Sequence, residues 1–239
     1  MDFNSIKNYS DSVKKVLGEY ENMGSIIPRD FLETTPFIFD FTKKNAKLVS
    51  LDLSNEKEFI NYINSMLKNS GCKFGIGGYG ENRIIYRRSN LFEDNIEPRS
   101  IHLGIDVWMP AETPIYSPLP AIVHSFQDNN NFGDYGPTVI LEHFLGEVRF
   151  FTLYGHLSRV SLKNMKEGTK IKQGQQIATL GNYNENGKWP AHLHFQIISN
   201  LLGKKGDFPG VATMSEQRYY LVLCPDPNLI LRINTVAKN

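Results

Sequence analysis

The sequence has little cysteine and no long run of apolar residues. Its 239 residues include two cysteines, Cys72 and Cys224, which form neither a disulfide framework nor a CxxC metal site. No apolar stretch approaches the roughly 20 residues of a transmembrane helix. The N-terminus also lacks the basic start and apolar core of a secretory signal. These absences predict buried reduced thiols, no membrane span and a cytoplasmic location.

An excess of charge of either sign is absent as well. Lysine and arginine total 26 against 25 acidic residues, which gives a formal net charge of +1. The balanced charge therefore predicts no broad basic surface that would bind nucleic acid or an anionic membrane. Hydrophobic residues make up 41% of the chain, enough for one large domain or for a domain with a smaller companion.

Two helices are predicted in the first hundred residues. Apolar residues recur at helical spacing over 4–17, and Gly18 follows as a plausible stop. A second helix begins at Asn55, which forms a capping-box pattern with Glu58, and Gly71 stands where a C-terminal cap is expected.

Short strands are predicted around these helices, at 37–41 and 48–51, so that residues 1–98 constitute a small N-terminal α/β segment. Residues 99–239 differ, because β-rich runs recur there between turns of Gly, Pro and Asn. Examples of these runs are 121–123, 138–141 and 150–154. The expected fold class is mainly β, a sandwich or barrel with the α/β segment in front of it.

The first chemical pattern is His102-Leu103-Gly104-Ile105-Asp106. In a strand, positions 102, 104 and 106 point to one face, so His102 and Asp106 share a side. Gly104 between them leaves space for an ion. The flanking branched residues would point into a core.

The second pattern is His192-Leu193-His194-Phe195-Gln196, where alternation puts His192, His194 and Gln196 on one face. Two imidazole nitrogens and one carboxylate suit a borderline-soft cation such as zinc, and three protein ligands leave a fourth position open. Each pattern alone is weak, since a single HxH on a strand is more often structural.

Together with a third element, the patterns resemble a known family. The elements occur in the order 102–106, Tyr154-Gly155-His156-Leu157-Ser158 and 192–194. Over residues 99–200 this arrangement is similar to the lysostaphin/LytM-type zinc endopeptidases, and the chain looks like a cytosolic variant without a signal. The segments between the elements also resemble that family; they are 114–118, 135–143 and 167–181.

The resemblance implies a lysostaphin-type duplicated hybrid β-motif and one zinc ion. It assigns the metal ligands to His102, Asp106 and His194, and it places His156 and His192 beside the metal as catalytic residues. Either histidine could accept the proton of a metal-activated water or donate one to the leaving amine. The implied activity is hydrolysis of an amide or peptide bond.

The family typically cuts peptide cross-links of bacterial cell walls. A cytoplasmic location would favour a cytosolic peptide, a recycled wall fragment or a small amide as the substrate. The expected partner is therefore a peptide or small amide, with no nucleic acid and no membrane.

The glycine-rich stretch 75–80 fits the GxGxxG motif of dinucleotide-binding folds. In those folds a helix follows the motif, but the pattern of residues 81–87 predicts a strand. The stretch instead resembles the lead-in of signal-less relatives. We hypothesise that Tyr79, Glu81 and Arg83 reach the cleft and that Arg83 binds a substrate carboxylate. The alternative is a surface hairpin with an exposed salt bridge.

A rival interpretation is a non-catalytic binding module or phosphocarrier, because sugar phosphotransferase IIA components place two histidines across a shallow β site without a metal. Asp106 distinguishes the zinc hydrolase from the phosphocarrier, since a carboxylate suits a cation and would repel a phosphohistidine. An inactive metal-binding regulator is a third possibility. His124 and His143 lack a partnered pattern and are predicted to be structural, and Trp189 either walls the cleft or packs.

Overall fold

The computed structural model describes residues 2–93 and 97–233, which form six α-helices, three short 3-10 helices and twelve strands. The α-helices are α1 (Phe3–Glu19), α2 (Arg29–Leu32), α3 (Ala46–Val49), α4 (Glu56–Ser70), α5 (Gln217–Leu223) and α6 (Asn228–Leu231). The 3-10 helices are Ile85–Arg88, Asn90–Phe92 and Arg159–Leu162. The strands are β1 (Phe37–Phe39), β2 (Gly75–Gly77), β3 (Ile101–His102), β4 (Ile105–Trp108), β5 (Pro114–Tyr116), β6 (Ala121–Asn129), β7 (Gly136–Leu145), β8 (Val148–Gly155), β9 (Lys170–Ile171), β10 (Gln176–Thr179), β11 (His192–Ile198) and β12 (Val211–Ala212).

Eight of these strands form one sheet in the order β1-β2-β4-β11-β8-β7-β6-β9. The pair β1–β2 is parallel, and the other neighbours are antiparallel. Two small sheets, β10–β5 and β12–β3, accompany it. The predicted mainly β class is confirmed. Strands β1 and β2 of the N-terminal segment continue the same sheet as β4, so the segments 1–98 and 99–239 share a sheet.

The alternation predicted for β11 is present. Leu193, Phe195 and Ile197 are fully buried in the main core, together with Ile105 and Val107 of β4. Such a strand, buried on both faces, needs its polar side chains to find partners inside the protein. The opposite face of β11 supplies these polar side chains to the site described below.

The two predicted helices are confirmed. The Asn55 side chain accepts hydrogen bonds from the amides of Lys57 and Glu58 at the start of α4, and Gly71 caps its end with a φ of 69°. Helix α1 ends at Glu19, one residue after the predicted stop at Gly18. A glycine within a helix lowers its stability but does not end it.

Two predicted strands were wrong. Residues 48–51 were expected to be extended, but Ala46–Val49 is the helix α3, whose Asn45 cap accepts from the Leu48 amide. Residues 81–87 contain only an isolated bridge at Asn82 and the beginning of a 3-10 helix. A four-residue run such as 48–51 fits a buried strand or a helix turn equally well, and here the Asn45 cap decides for the helix.

The two ends of the described chain pack together. Ser10 of α1 donates to the Val222 carbonyl of α5 at 2.5 Å, and Tyr9 donates to the Arg149 carbonyl at 2.8 Å. Ile230 and Leu231 of α6 lie in the main core with residues of α1. Both cysteines are free, and among the described helices none is long and apolar enough to cross a membrane.

Candidate metal centre

His102, Asp106 and His194 come together at the middle of the large sheet. Strand β3 ends at His102, and β4 begins at Ile105. Residues 103–104 between them are not in a strand, so the single strand that was predicted is two strands. Asp106 lies directly opposite His194 in the β4–β11 register. A Cβ on Gly104 would lie 2.6 Å from the His194 ring, so this glycine makes room for the imidazole and not, as predicted, for the ion.

The three side chains converge on one point. His102 Nε2 lies 3.0 Å from His194 Nδ1, and each of these nitrogens lies 3.2 Å from Asp106 Oδ1. All three residues are buried. Among the described residues they are the one group of three or more His, Cys, Asp or Glu whose ligand atoms are close enough to hold a metal.

The hydrogen bonds of the two imidazoles leave no proton between them. His102 Nδ1 donates to the Gly78 carbonyl at 2.9 Å, and His194 Nε2 donates to Gln196 Oε1 at 2.9 Å. In a neutral imidazole that donates from one nitrogen, the opposite nitrogen is a bare acceptor. Burial and Arg83 lower the pKa of His102 to about 3. His102 and Arg83 outweigh the effect of burial on Asp106 and hold the pKa of its carboxyl well below the usual value.

Three unprotonated acceptors thus face one another, an arrangement that a cation would neutralise. A tetrahedral zinc with ligands at about 2.0 Å has ligand-to-ligand distances of about 3.3 Å. The observed separations of 3.0 and 3.2 Å are close to this value. Two imidazoles and one carboxylate are a donor set that zinc accepts, so the residues fit one zinc ion.

His156 and His192 stand beside this triad. The Nδ1 atom of His192 donates to the Pro190 carbonyl at 2.8 Å, and that of His156 donates to the Asn186 carbonyl at 2.9 Å. The centroids of their two rings lie 4.1 Å apart, and His192 Nε2 is 4.0 Å from Asp106 Oδ1. Burial lowers the pKa of His192 to about 4 and that of His156 well below its usual value. Both rings are therefore neutral bases near pH 7.

Trp108 contributes to the site without having been predicted. Its indole stacks on the His192 ring with centroids 4.1 Å apart and an interplanar angle of 16°. Trp108 lies opposite His192 in the β4–β11 register and two residues after Asp106. The two-residue period of a strand, which paired His102 with Asp106, could have identified it.

The site opens into a cleft of about 300 Å³. The lining includes Asp106 and three of the histidines, with aromatic walls and a charged rim. The aromatic residues are Tyr86, Phe92, Trp108, Tyr135, Trp189 and Phe208, and the charged rim residues are Arg99, Asp134, Lys204 and Asp207. Trp189 is the one wall residue that the sequence suggested. Tyr86 and Tyr135 lie in segments with a recognised pattern, 81–87 and 135–143, but neither side chain was predicted to line the site.

Tyr79, Glu81 and Arg83 do not line this cleft. The Tyr79 hydroxyl donates to the Cys224 carbonyl at 2.7 Å. Arg83 is fully buried, and its guanidinium contacts Glu81 at 2.8 Å and Asp106 Oδ2 at 2.5 Å. This position argues against the predicted contact with a substrate carboxylate, because protein groups occupy the guanidinium. The alternative of an exposed salt bridge does not describe it either.

The other two histidines lie outside the site, as expected of structural residues. His143 is fully buried and bonded to the Pro120 carbonyl and to Thr152. His124 packs against Phe151. The stretch 75–80 begins with β2 and is followed by a turn and a bridge, not by the helix of a dinucleotide site.

Comparison with known proteins finds a match to the part of the chain that carries the site. Residues 100–205 match the model of peptidase family M23. This stretch is therefore similar to M23 peptidase domains, and residues 100–205 are called the M23 domain below. The resemblance to the lysostaphin/LytM-type enzymes is thereby confirmed, and all five predicted metal and catalytic residues lie within the M23 domain.

Two curated relatives cover a similar part of the chain. The peptidoglycan DD-endopeptidase ShyA of Vibrio cholerae is 31% identical over 114 residues, which are 44% of this chain and 24% of that protein. The peptidoglycan DD-endopeptidase ShyC of the same organism is 33% identical over 104 residues, which are 43% of this chain and 21% of that protein. The match thus spans about a quarter of the length of these relatives or less.

Solved structures of similar domains include a zinc-containing peptidase from Vibrio cholerae, at 27% identity and a TM-score of 0.34. That match covers 44% of this chain and 29% of the other. The catalytic domain of lysostaphin from Staphylococcus simulans is 22% identical with a TM-score of 0.41, covering 64% of this chain and 96% of the other.

Proposed function

We propose that the M23 domain is a zinc-dependent peptidase that hydrolyses an amide bond of a peptide. The observation that carries the proposal is the triad of facing acceptors, His102 Nε2, Asp106 Oδ1 and His194 Nδ1, which a single zinc would satisfy. Membership of residues 100–205 in a peptidase family supports it.

The three triad atoms would hold the ion and leave one position open to the cleft. A bound zinc supplies a Lewis acid that polarises the scissile carbonyl and lowers the pKa of water towards about 7. The remaining chemistry belongs to the side chains around it.

In this proposal the Nε2 atoms of His192 and His156 accept and donate the protons of the reaction. Their Nδ1 protons are committed to the Pro190 and Asn186 carbonyls, so each Nε2 is a free acceptor on the cleft side. Either ring can take a proton from the attacking water and return one to the leaving amine. The stacked Trp108 restricts rotation of His192. The aromatic residues of the cleft wall would reduce the access of bulk water to the reacting bond.

The substrate that we propose is a short peptide segment of the cell-wall cross-link class, intact or as a released fragment. Both curated relatives are named as peptidoglycan DD-endopeptidases. The cleft of about 300 Å³ is at the small end of ligand pockets, which favours a few residues around the scissile bond over an extended chain.

The phosphocarrier interpretation is less consistent with the geometry. A phosphorylated His102 or His194 would place its charge beside the Asp106 carboxylate, 3.2 Å away, and the like charges would repel. We therefore favour a cation at this position.

Zinc content tests the proposal directly. The wild-type protein, equilibrated with zinc and freed of excess by dialysis, is expected to retain about one ion per chain, and Asp106→Ala is expected to lose it. Asp11→Ala is a matched control, because Asp11 forms only exposed ion pairs with Lys7 and Lys14. A wild-type protein that retains no zinc would contradict the proposal.

The rate of peptide hydrolysis is the second measurement that tests the proposal. His192→Ala is expected to keep zinc and to cleave cross-linked wall peptides about 10²- to 10⁴-fold more slowly. A zinc-loaded wild type that cleaves none of a panel of wall peptides, cytosolic peptides and small amides would favour the inactive metal-binding regulator.

A further inference from the structure

The segment just before the M23 domain contacts two of the three triad residues. Strand β2 pairs with β4, and Gly77 lies directly opposite Asp106 in that register. The turn that follows β2 carries Gly78 and Arg83, both upstream of residues 100–205. These contacts are polar and short.

One backbone carbonyl connects the two contacts. The Gly78 carbonyl accepts from His102 Nδ1 at 2.9 Å and from Arg83 Nη2 at 3.0 Å. The first bond sets the tautomer of His102 so that Nε2 faces the triad. The second bond ties the same carbonyl to the guanidinium.

Arg83 in turn determines which oxygen of Asp106 is available. Its Nη1 donates to Asp106 Oδ2 at 2.5 Å, while Oδ1 is the oxygen that faces the two imidazoles. A carboxylate held at one oxygen by a guanidinium presents the other as a single, oriented ligand.

The guanidinium is itself held from several sides. Its Nε donates to Glu81 Oε2 at 2.8 Å, its Nη1 also reaches the Tyr86 hydroxyl at 3.3 Å, and its Cζ lies 5.1 Å from the centroid of the Phe41 ring. Glu81 is fixed by the Phe41 amide, which donates to its Oε1 at 2.9 Å. The Arg83 charge is therefore buried between two carboxylates and cannot turn to another partner.

We propose that Arg83 is a positioning residue of the metal centre, which aligns Asp106 and His102 for the ion from outside the M23 domain. This inference rests on the proposed zinc site. It assigns to residues 75–86 a part in metal binding that the match to the family does not include.

The geometry requires an arginine in particular. Three nitrogens of one planar group reach Glu81, Asp106 and Gly78 at once, whereas the single ammonium of a lysine cannot span all three. Arg83→Lys should therefore keep the charge and lose part of the alignment.

A glycine offers a second way to disturb the same group. A Cβ at position 77 would lie 2.7 Å from Arg83 Nη2, so Gly77→Ala displaces the guanidinium while leaving the arginine in place. Gly18→Ala is its control, since a Cβ at Gly18 meets no atom within 4 Å. Arg87→Gln is the control for Arg83→Gln, because Arg87 is exposed on the adjacent 3-10 helix.

The experiment measures zinc affinity by competition with a chelator and the visible spectrum of the cobalt(II)-loaded protein. Zinc affinity of Arg83→Gln and Gly77→Ala should fall about 10- to 100-fold, with a smaller loss for Arg83→Lys and none for Arg87→Gln or Gly18→Ala. The cobalt bands of the first two variants should shift, because the Asp106 carboxylate is no longer held at Oδ2. Circular dichroism of the metal-free proteins verifies that each variant is folded.

The outcomes separate the two proposals. A wild type that binds neither zinc nor cobalt overturns the zinc site and this inference with it. A wild type that binds zinc, with Arg83→Gln of equal affinity and unchanged cobalt bands, overturns the positioning role alone. If Arg83→Gln does not fold, Gly77→Ala and Arg83→Lys decide by the same two measurements.

Discussion

His156 adopts a backbone conformation that few residues other than glycine tolerate. Its φ is 62°, and the strain is maintained because its amide donates to the Tyr135 carbonyl and its carbonyl accepts from the Gly181 amide. Strained residues of this kind concentrate at functional sites. The backbone here aims the imidazole at His192 and the triad.

Replacing His156 by asparagine separates its imidazole from its backbone. Asparagine tolerates positive φ better than most residues, so His156→Asn should fold and keep its zinc. Hydrolysis of a susceptible peptide should fall about 10²- to 10⁴-fold, because a proton-transfer group is lost. Zinc analysis and kcat measure the two effects. His124→Asn, outside the cleft, is the control, and wild-type kcat in His156→Asn would contradict a catalytic role.

The sequence was sufficient to predict that His102, Asp106, His156, His192 and His194 lie together, but not which groups orient them. Histidine and aspartate at two-residue spacing on strands carry a recognisable signal. The carbonyls of Gly78, Pro190 and Asn186 carry none, because any residue type has a carbonyl and only the folded chain places it. Arg83 was singled out from the sequence, yet its partner could not be foreseen, since Asp106 is 23 positions away.

His143 shows how a buried histidine links strands away from the site. It lies on β7, donates from Nδ1 to the Pro120 carbonyl next to β6 at 3.1 Å, and pairs through Nε2 with Thr152 of β8 at 2.7 Å. Burial lowers its pKa to about 4, against 6.5 for an unperturbed histidine. The neutral ring therefore links β7 to β8 and to the residue before β6 through hydrogen bonds.

This burial makes stability depend on pH in a defined window. Between about pH 6.5 and pH 4 the unfolded chain binds a proton at His143 that the folded chain does not bind. The free energy of unfolding is therefore highest above pH 6.5 and falls as the pH falls to 4, by up to about 3 kcal/mol from this residue.

His143→Gln should flatten that dependence. Urea unfolding of wild type and variant at pH 7 and pH 5, both without metal, measures the difference. All other residues are the same in the two proteins, so their contributions cancel in the comparison. An identical loss of stability between pH 7 and pH 5 in both proteins would contradict this assignment.

At the scale of elements, periodicity and caps predicted α1 and α4 because both are long enough to repeat an apolar stripe. The run 48–51 was too short to distinguish strand from helix, and the cap at Asn45 made it the helix α3. The two-residue alternation correctly placed the faces of β11. It could not show that residues 101–107 break into two strands, since β3 pairs with β12, a segment about 110 residues later.

The large sheet couples the proposed metal site to the stability of the whole molecule. Triad residues sit on β3, β4 and β11, and β4 and β11 are central strands of the sheet. Without a cation, the folded state holds three acceptors together at 3.0 to 3.2 Å, an unfavourable arrangement that unfolding relieves. Metal binding should therefore stabilise the fold.

Zinc at about 100 times its dissociation constant should add about 2.7 kcal/mol to the free energy of unfolding. For a chain of this size the expected rise in Tm is roughly 5–11 °C. Calorimetry of the chelator-treated protein with and without zinc measures it. Asp11→Ala should show the same rise and Asp106→Ala none. Equal Tm values for the metal-free and zinc-treated wild type would be inconsistent with the site.

The pairing of β2 with β4 also bears on how such a protein can be recombined. A chimera that carried only residues 100–205 into another scaffold would bring all three triad residues but leave the Arg83 guanidinium and the Gly78 carbonyl behind. Its β4 would also present an unpaired edge where Gly77 now faces Asp106. A transplant that retains metal affinity should therefore start before β2, and gene fusions that preserve this chemistry are expected to keep that strand and its turn attached.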